Sequence, residues 1–306
     1  MRGLVLVTGS EGLVGSRFVE LFPRKNFLRH PTLVEMDITN FSQIKAVVSS
    51  YNFGSIVNFA AYTNVGEAEK ERGNKEGACW QINVEGVRNL VNAVKDTKIH
   101  FIQISTDMVF PGNTNDPGPY SEEHKPEKDE SKMTWYGYTK AEGERIVKEV
   151  LGKEATIMRI IYPVRAKYEV KADYLRKPLE LFDEGKLYPL FSDQQISIAF
   201  IDEVCKALEK IIFLKLKGTY HVSSRDTTTP YELISYFLEK ARGVRGVTKS
   251  ITLAEFFKQV GGSPVRYPKF GGLTVEETER KLGLRFRTWK EIVDEIVRQM
   301  RVQEEN

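Results

Sequence analysis

Cysteine is scarce in this chain: Cys79 and Cys205 are the only two among 306 residues. Two thiols cannot build a disulfide framework, and they suit a reducing compartment. The four histidines, His30, His100, His124 and His221, lie far apart in the chain. None has a Cys or carboxylate partner at ligand spacing, which argues against a metal site. Long apolar runs are missing too. No stretch of about 18 uninterrupted apolar residues occurs, so nothing reads as a membrane span. The opening M-R-G-L-V-L-V-T-G-S is apolar only from Leu4 to Val7 and then turns to glycines and Glu11. That is too short for a secretory signal, and a cytoplasmic location is the expectation. Neither charge dominates. A net charge of +3 with 28% charged residues leaves no footprint for nucleic acid. Length is not lacking: the chain suffices for one large α/β unit or two modest domains.

What is present is an alternation of short apolar runs and longer amphipathic segments. Strands are expected at Leu4–Thr8, Leu33–Met36, Ser55–Phe59, His100–Ser105 and Ala155–Ile160. Helices are expected at Leu13–Leu21, Phe41–Tyr51, Ala78–Val94 and Tyr136–Val150. This pattern predicts a parallel sheet covered on both faces. The last third is richer in helix signals. Thr229-Pro230 reads as an N-cap with Pro at the first helical position, and Gly243 follows the helix end. Thr274 with Glu277, and Thr288 with Glu291, have capping-box spacing. A long polar loop, Phe110–Thr134, precedes W-Y-G-Y-T-K-A-E-G-E, and loops of that length are often functional.

After the first strand comes T-G-S-E-G-L-V-G, with Gly9, Gly12 and Gly15 in G-x-x-G-x-x-G spacing. Glycines let a pyrophosphate approach the backbone, and the following helix offers free N–H groups and a positive dipole end. A strand before the glycines and an amphipathic helix after them point to dinucleotide binding by Gly9, Ser10, Glu11, Gly12, Leu13 and Gly15. An acid about 20 residues on would hold an unphosphorylated ribose, and Glu35 lies at that distance. M-D-I-T-N instead suggests that Asp37, with Ile38, meets the adenine. The second strand would then be N-F-L-R-H, and Arg24, Lys25 and Arg29 would be placed to pair a 2′-phosphate. The reading leans to NADP, with NAD as the alternative.

The glycine spacing and several later segments, in order, resemble the extended short-chain dehydrogenase/reductase family, whose members act on nucleotide sugars. The segments are N-F-A-A-Y-T-N-V-G-E-A-E, I-N-V-E-G-V-R-N-L, I-S-T-D-M-V-F-P-G, Y-G-Y-T-K-A-E-G-E and F-S-D-Q-Q-I-S-I-A-F-I-D-E-V. Within that family, S-T-D-x-V-F followed by Y-G-x-T-K-x-x-G-E is the pattern of dTDP-4-dehydrorhamnose reductases. The match runs from about Leu4 to Gly283 and is most specific up to Val150. It implies an α/β fold: a Rossmann-type, doubly wound parallel sheet with a smaller, helix-rich substrate domain. The expected cofactor domain is 1–161 plus about 191–223, and the expected substrate domain about 162–190 plus 224–306.

Tyr136 and Lys140 are four apart and share a helix face, whereas Tyr138 points elsewhere. An adjacent ammonium is expected to lower the phenol's pKa, so that Tyr136 can deliver a proton to a carbonyl as hydride arrives. By resemblance, Lys140 also holds the nicotinamide ribose and Thr106 stabilises the oxyanion, with Ser105 as its rival on the opposite face of the strand. Asn83 resembles the family's active-site Asn, which by resemblance holds a backbone or water relay behind the tyrosine and lysine; its plain alternative is a polar helix residue. Ala60, Ala61, Tyr62 and Ser105 match cofactor-lining positions. Asp107, Val109, Gln194 and Arg266 are the candidate substrate contacts; the plain alternative for Arg266 is a solvated surface charge. Where relatives that dehydrate sugars carry a Glu after the Asp, this chain has Met108, which favours reduction. The resemblance implies a nucleotide-sugar substrate and a homodimer. A nucleotide-sugar 4-epimerase and a non-catalytic cofactor-binding regulatory subunit are the competing readings. The chain departs from the pattern at I-I-Y-P-V-R-A-K and R-Y-P-K-F-G-G-L, where the sugar and nucleotide would be read.

Overall fold

The computed structural model describes residues 3–261 and 264–304. Its central sheet has six strands: β1 (Leu4–Thr8), β2 (Leu28–Arg29), β3 (Phe53–Asn58), β4 (His100–Thr106), β5 (Thr156–Ile160) and β6 (Gly218–Val222). Their spatial order is β2-β1-β3-β4-β5-β6. The β1–β2, β1–β3 and β3–β4 pairings are parallel. All residues of β4 and β5 are buried, which explains why these strands read as apolar runs without alternation.

Helices pack on both faces. Helix α1 (Leu13–Leu21) covers one, with Phe18 against Phe22 and Phe59 at centroid distances of 5.2 and 5.5 Å. On the other lie α2 (Phe41–Ser50), α3 (Val65–Lys70), α4 (Ala78–Trp80), α5 (Val87–Val94) and α6 (Trp135–Leu151). They bury Ile44, Ala68, Leu90, Val91, Ile146 and Val147 against Leu6, Ile56 and Phe101. The chain leaves β1 toward β2 and then crosses back to β3. The carboxyl ends of β1 and β3 therefore form the switch point where such sheets bind ligands.

Two expected elements differ. Leu33–Met36 is a turn, with Leu33 69% and Val34 89% exposed, and the second strand is Leu28–Arg29. Leu33 and Val34 imitated a strand but have no sheet neighbour to bury them. The expected helix from Ala78 to Val94 is interrupted by a π-helical turn, Gln81–Gly86. Of the expected caps, Thr229 forms a full capping box and Gly243 takes a left-handed φ of 71°. Thr288 and Glu291 exchange the two bonds of a second box. Thr274 caps nothing: the helix Glu276–Leu282 starts after Val275, and the Thr274 hydroxyl donates to Tyr120 O.

Contacts divide the chain into two compact units. One comprises Met1–Phe110, Glu123–Arg159 and Val204–Tyr220; the other comprises Pro111–Glu122, Ile160–Glu203 and His221–Asn306. These bounds differ from the sequence-based domain ranges in assigning 111–122 and 191–203 to the second unit. That unit has its own core, in which Leu233, Ile234 and Phe237 pack with Trp289, Ile292, Val293 and Ile296. No described helix is long and apolar enough to cross a membrane.

Candidate active site

At the switch point, Gly9 has φ +61°, and a Cβ there would lie 2.6 Å from Ala60 N. A Cβ on Gly15 would collide with the Gly9 carbonyl. The β1–α1 turn is therefore held tight against the backbone after β3, with no side chain filling the cradle at Gly9, Gly12 and Gly15. This fits a dinucleotide: the helix start and glycine backbone are left for a pyrophosphate. Gly12 is the N-cap of α1 and offers no side-chain cap. Ser10 is buried, and Glu11 is exposed.

A polar ladder ties the strand ends together. The Thr8 hydroxyl donates to Asn58 Oδ1 at 2.5 Å and accepts from Ala60 N at 3.2 Å. Asn58 Nδ2 donates to Gln103 Oε1, and Gln103 Nε2 to Ile104 O. The same Ile104 carbonyl accepts the Lys140 ammonium at 2.8 Å. The lysine on α6 is thus linked to the glycine turn through three strands. Sequence reading missed this ladder, since Asn58 and Gln103 look like ordinary strand residues until their neighbours are known.

Helix α6 starts at a Thr134 cap, whose side chain accepts from Gly137 N. It presents Tyr136 to the end of β4, where the phenol meets the Thr106 hydroxyl and the Asp107 carboxyl. Thr106 donates to Asp107 Oδ1 at 3.1 Å and accepts from Met108 N at 3.2 Å. Of the two rival hydroxyls, Thr106 faces the tyrosine and Ser105 faces the Glu144 carboxylate. Tyr138 points away, packing against Trp80 and Trp135.

Burial raises the Tyr136 pKa above a phenol's ordinary value; the Asp107 charge adds to this, and the facing Thr106 hydroxyl opposes it. The expected lowering by Lys140 is not seen. Its ammonium is held by the Ile104 carbonyl rather than aimed at the phenol. Burial also brings the Lys140 pKa down to about 8, against the opposing pull of Glu144. Burial pushes Asp107 up to about 7, despite hydrogen bonds from Thr106 and the Asp107 and Met108 backbone. Beneath the site, Glu144 and Arg159 form a buried, two-pronged ion pair at 2.7 and 2.8 Å. Burial alone would raise the Glu144 pKa, but Arg159 prevails and holds it down.

The other anticipated residues divide. Ala60 adjoins Gly9, and Tyr62 is bonded through its backbone to Asn83. Asn83 itself is 1% exposed, with its amide bonded to protein groups. Through these bonds it clamps the Tyr62 backbone to Thr139 of α6. Arg29 ends β2, where its guanidinium lies 5.3 Å from the Tyr51 ring centroid and donates to Leu28 O. Glu35 caps the Thr32 turn, and Asp37 accepts from the Thr39 N–H and hydroxyl. Ile38 is buried beneath Gly86, and Val109 is fully buried. Gln194 and Arg266 belong to the second unit. Gln194 donates to Pro268 O, and the exposed Arg266 lies over the Tyr267 ring.

A parallel sheet of this order, with a glycine turn at the switch point and a Tyr–Lys helix beside the next strand, defines an extended short-chain dehydrogenase/reductase. Within that class the chain belongs to the family described as the RmlD substrate binding domain, matched over residues 1–302. It is 27% identical over 290 residues to a probable low-salt glycan biosynthesis reductase of Haloferax volcanii, covering 90% of this chain and 91% of that one. It is 29% identical to a dTDP-4-dehydrorhamnose reductase of Streptomyces griseus, covering 73% and 71%. The crystal structure of dTDP-4-dehydrorhamnose reductase from Bacillus anthracis in complex with NADP superposes with a TM-score of 0.80 at 25% identity. That superposition covers 97% of this chain and 99% of the other.

Proposed function

We propose that this protein is an NAD(P)H-dependent reductase of nucleotide sugars, converting a 4-keto-6-deoxyhexose on dTDP to the alcohol, as in the formation of dTDP-rhamnose for cell-surface polysaccharides. The meeting of Tyr136, Thr106 and Asp107 at the end of β4, one helical turn from Lys140, carries the reading. Bound reduced nicotinamide supplies the hydride to the carbonyl carbon. Tyr136 gives its proton to the carbonyl oxygen, and Thr106 stabilises the charge that develops there. The raised pKa keeps Tyr136 protonated at neutral pH, as a proton donor must be. The ladder through Gln103 and Ile104 sets the height of Lys140, which would hold the ribose. Met108, following Asp107, brings no acid–base group for dehydration.

NADP is the favoured cofactor, because Arg29 ends β2 while Glu35 and Asp37 are engaged in local turns. NAD is the alternative. A cytoplasmic homodimer is the expected form; the two cysteines are both buried, which suits a reducing compartment. The test is consumption of NADPH or NADH with a panel of keto nucleotide sugars. Tyr136→Phe should lose nearly all turnover while binding NADPH normally. Full activity in that variant refutes the proton-donor role. Turnover without added nicotinamide, by cofactor that copurifies, would instead support the epimerase reading.

A further inference from the structure

Between Tyr136 and Lys140 lies a third side chain that the proposed chemistry does not use. Thr139 is fully buried. Its hydroxyl donates to the Tyr136 carbonyl at 2.8 Å and accepts from Asn83 Nδ2 at 3.0 Å. The Cys79 sulfur is 3.4 Å away. A hydroxyl has one proton and two lone pairs. With its proton on Tyr136 and one lone pair on Asn83, only an acceptor position is left for the Cys79 thiol. Burial raises the Cys79 pKa, which keeps that thiol protonated as a donor.

The direction of the network continues beyond Asn83. Asn83 Oδ1 accepts from Tyr62 N at 2.9 Å, and Nδ2 also donates to Tyr62 O at 3.1 Å. Reversing the amide would set a donor against the Tyr62 N–H, so its orientation is fixed. Asn83 itself lies in the π-helical turn Gln81–Gly86. Such turns re-aim side chains and are frequent at functional sites. One chain of bonds therefore runs from the backbone after β3, through Asn83 and Thr139, to the carbonyl of Tyr136. A threonine bonded to its own helix is common. A second bond from another element, on the residue between the two reactive ones, is not required by helix formation.

We propose that Thr139 is a positioning residue whose hydroxyl fixes the Tyr136–Lys140 turn against the Tyr62 segment, and so sets the geometry in which the dinucleotide and the phenol meet. The inference rests on the proposed reductase function. Thr139→Val keeps the shape and removes the hydroxyl, whereas Thr139→Ser keeps the hydroxyl. NADPH binding is measured by fluorescence titration, with folding checked by circular dichroism and steady-state rates taken alongside. Thr139→Val should bind NADPH at least fivefold more weakly and lose at least tenfold in kcat. Thr139→Ser should stay within about threefold on both. The loss in Asn83→Ala combined with Thr139→Val should be smaller than the product of the single losses, because both break one chain. Equal NADPH affinity in wild type and folded Thr139→Val overturns the positioning role, as does a loss that Thr139→Ser shares in full. A wild-type protein that binds no dinucleotide removes the reductase reading, and this inference with it. Binding that is normal while no keto sugar is reduced affects only the substrate assignment.

Discussion

The Lys140 ammonium sets the basic limb of the pH behaviour expected of the site. Burial brings the Lys140 pKa from 10.5 to about 8. The charged form is therefore complete well below that pH and is lost as pH rises through it. If Lys140 must be charged to hold the ribose, kcat/KM, which reports the free enzyme, should fall above about pH 8 with a slope near one. A profile flat to pH 10 would show that the ammonium is dispensable. Tyr136 does not account for such a limb, because its pKa is raised, by burial first and by the Asp107 charge next. The pair's spacing, and the outward turn of Tyr138, are legible from the sequence because four residues make about one helical turn. The partner of the lysine is not legible. Ile104 O is a backbone atom 36 positions away, and no side-chain pattern marks it.

Elements meet here through glycines as much as through apolar faces. A Cβ at Gly143 would sit 2.8 Å from the Asn83 carbonyl, where α6 crosses the π-helical turn. Alanine is ordinarily worth about 1 kcal/mol over glycine inside a helix. At this crossing it should destabilise instead, because the carbonyl is backbone and cannot step aside. Gly143→Ala is expected to melt at a lower temperature than wild type and to bind NADPH less well; a higher melting temperature would contradict the packing. Strand β1, helix α1 and the glycine turn between them were legible because strand pattern, turn chemistry and helix start all lie within 18 consecutive residues, Leu4–Leu21. The misread segment Leu33–Met36 shows the limit of that logic. Leu33 and Val34 have strand-like composition, yet the adjoining β1 edge is taken by Leu28 and Arg29.

The first unit as a whole is fastened by a charge pair that neither partner could sustain alone. Glu144 of α6 and Arg159 of β5 are 1% and 0% exposed. Glu144→Gln leaves the guanidinium buried without its counter-charge, which should cost about 3–5 kcal/mol in urea unfolding. Combining it with Arg159→Met should recover part of that loss, since no unpaired charge remains. A single substitution costing under about 1 kcal/mol would mean that the pair is solvated in solution. The depressed Glu144 pKa gives the same sign. Its contribution is present at neutral pH and is lost as pH falls through that lowered value.

By itself, the sequence determined the parallel α/β class, the glycine turn, the Tyr136–Lys140 face and the choice of reduction over dehydration suggested by Met108. Each depends on neighbours a few residues apart or on motifs in fixed order. Only the tertiary structure decided that Thr106 rather than Ser105 faces the phenol, that Lys140 is anchored on Ile104, and that Asn83 is a clamp meeting Thr139. It also placed 111–122 and 191–203 in the second of the two units. These outcomes turn on hydrogen bonds and desolvation between residues tens of positions apart. Such bonds have direction and exact distance, which periodicity and composition do not carry.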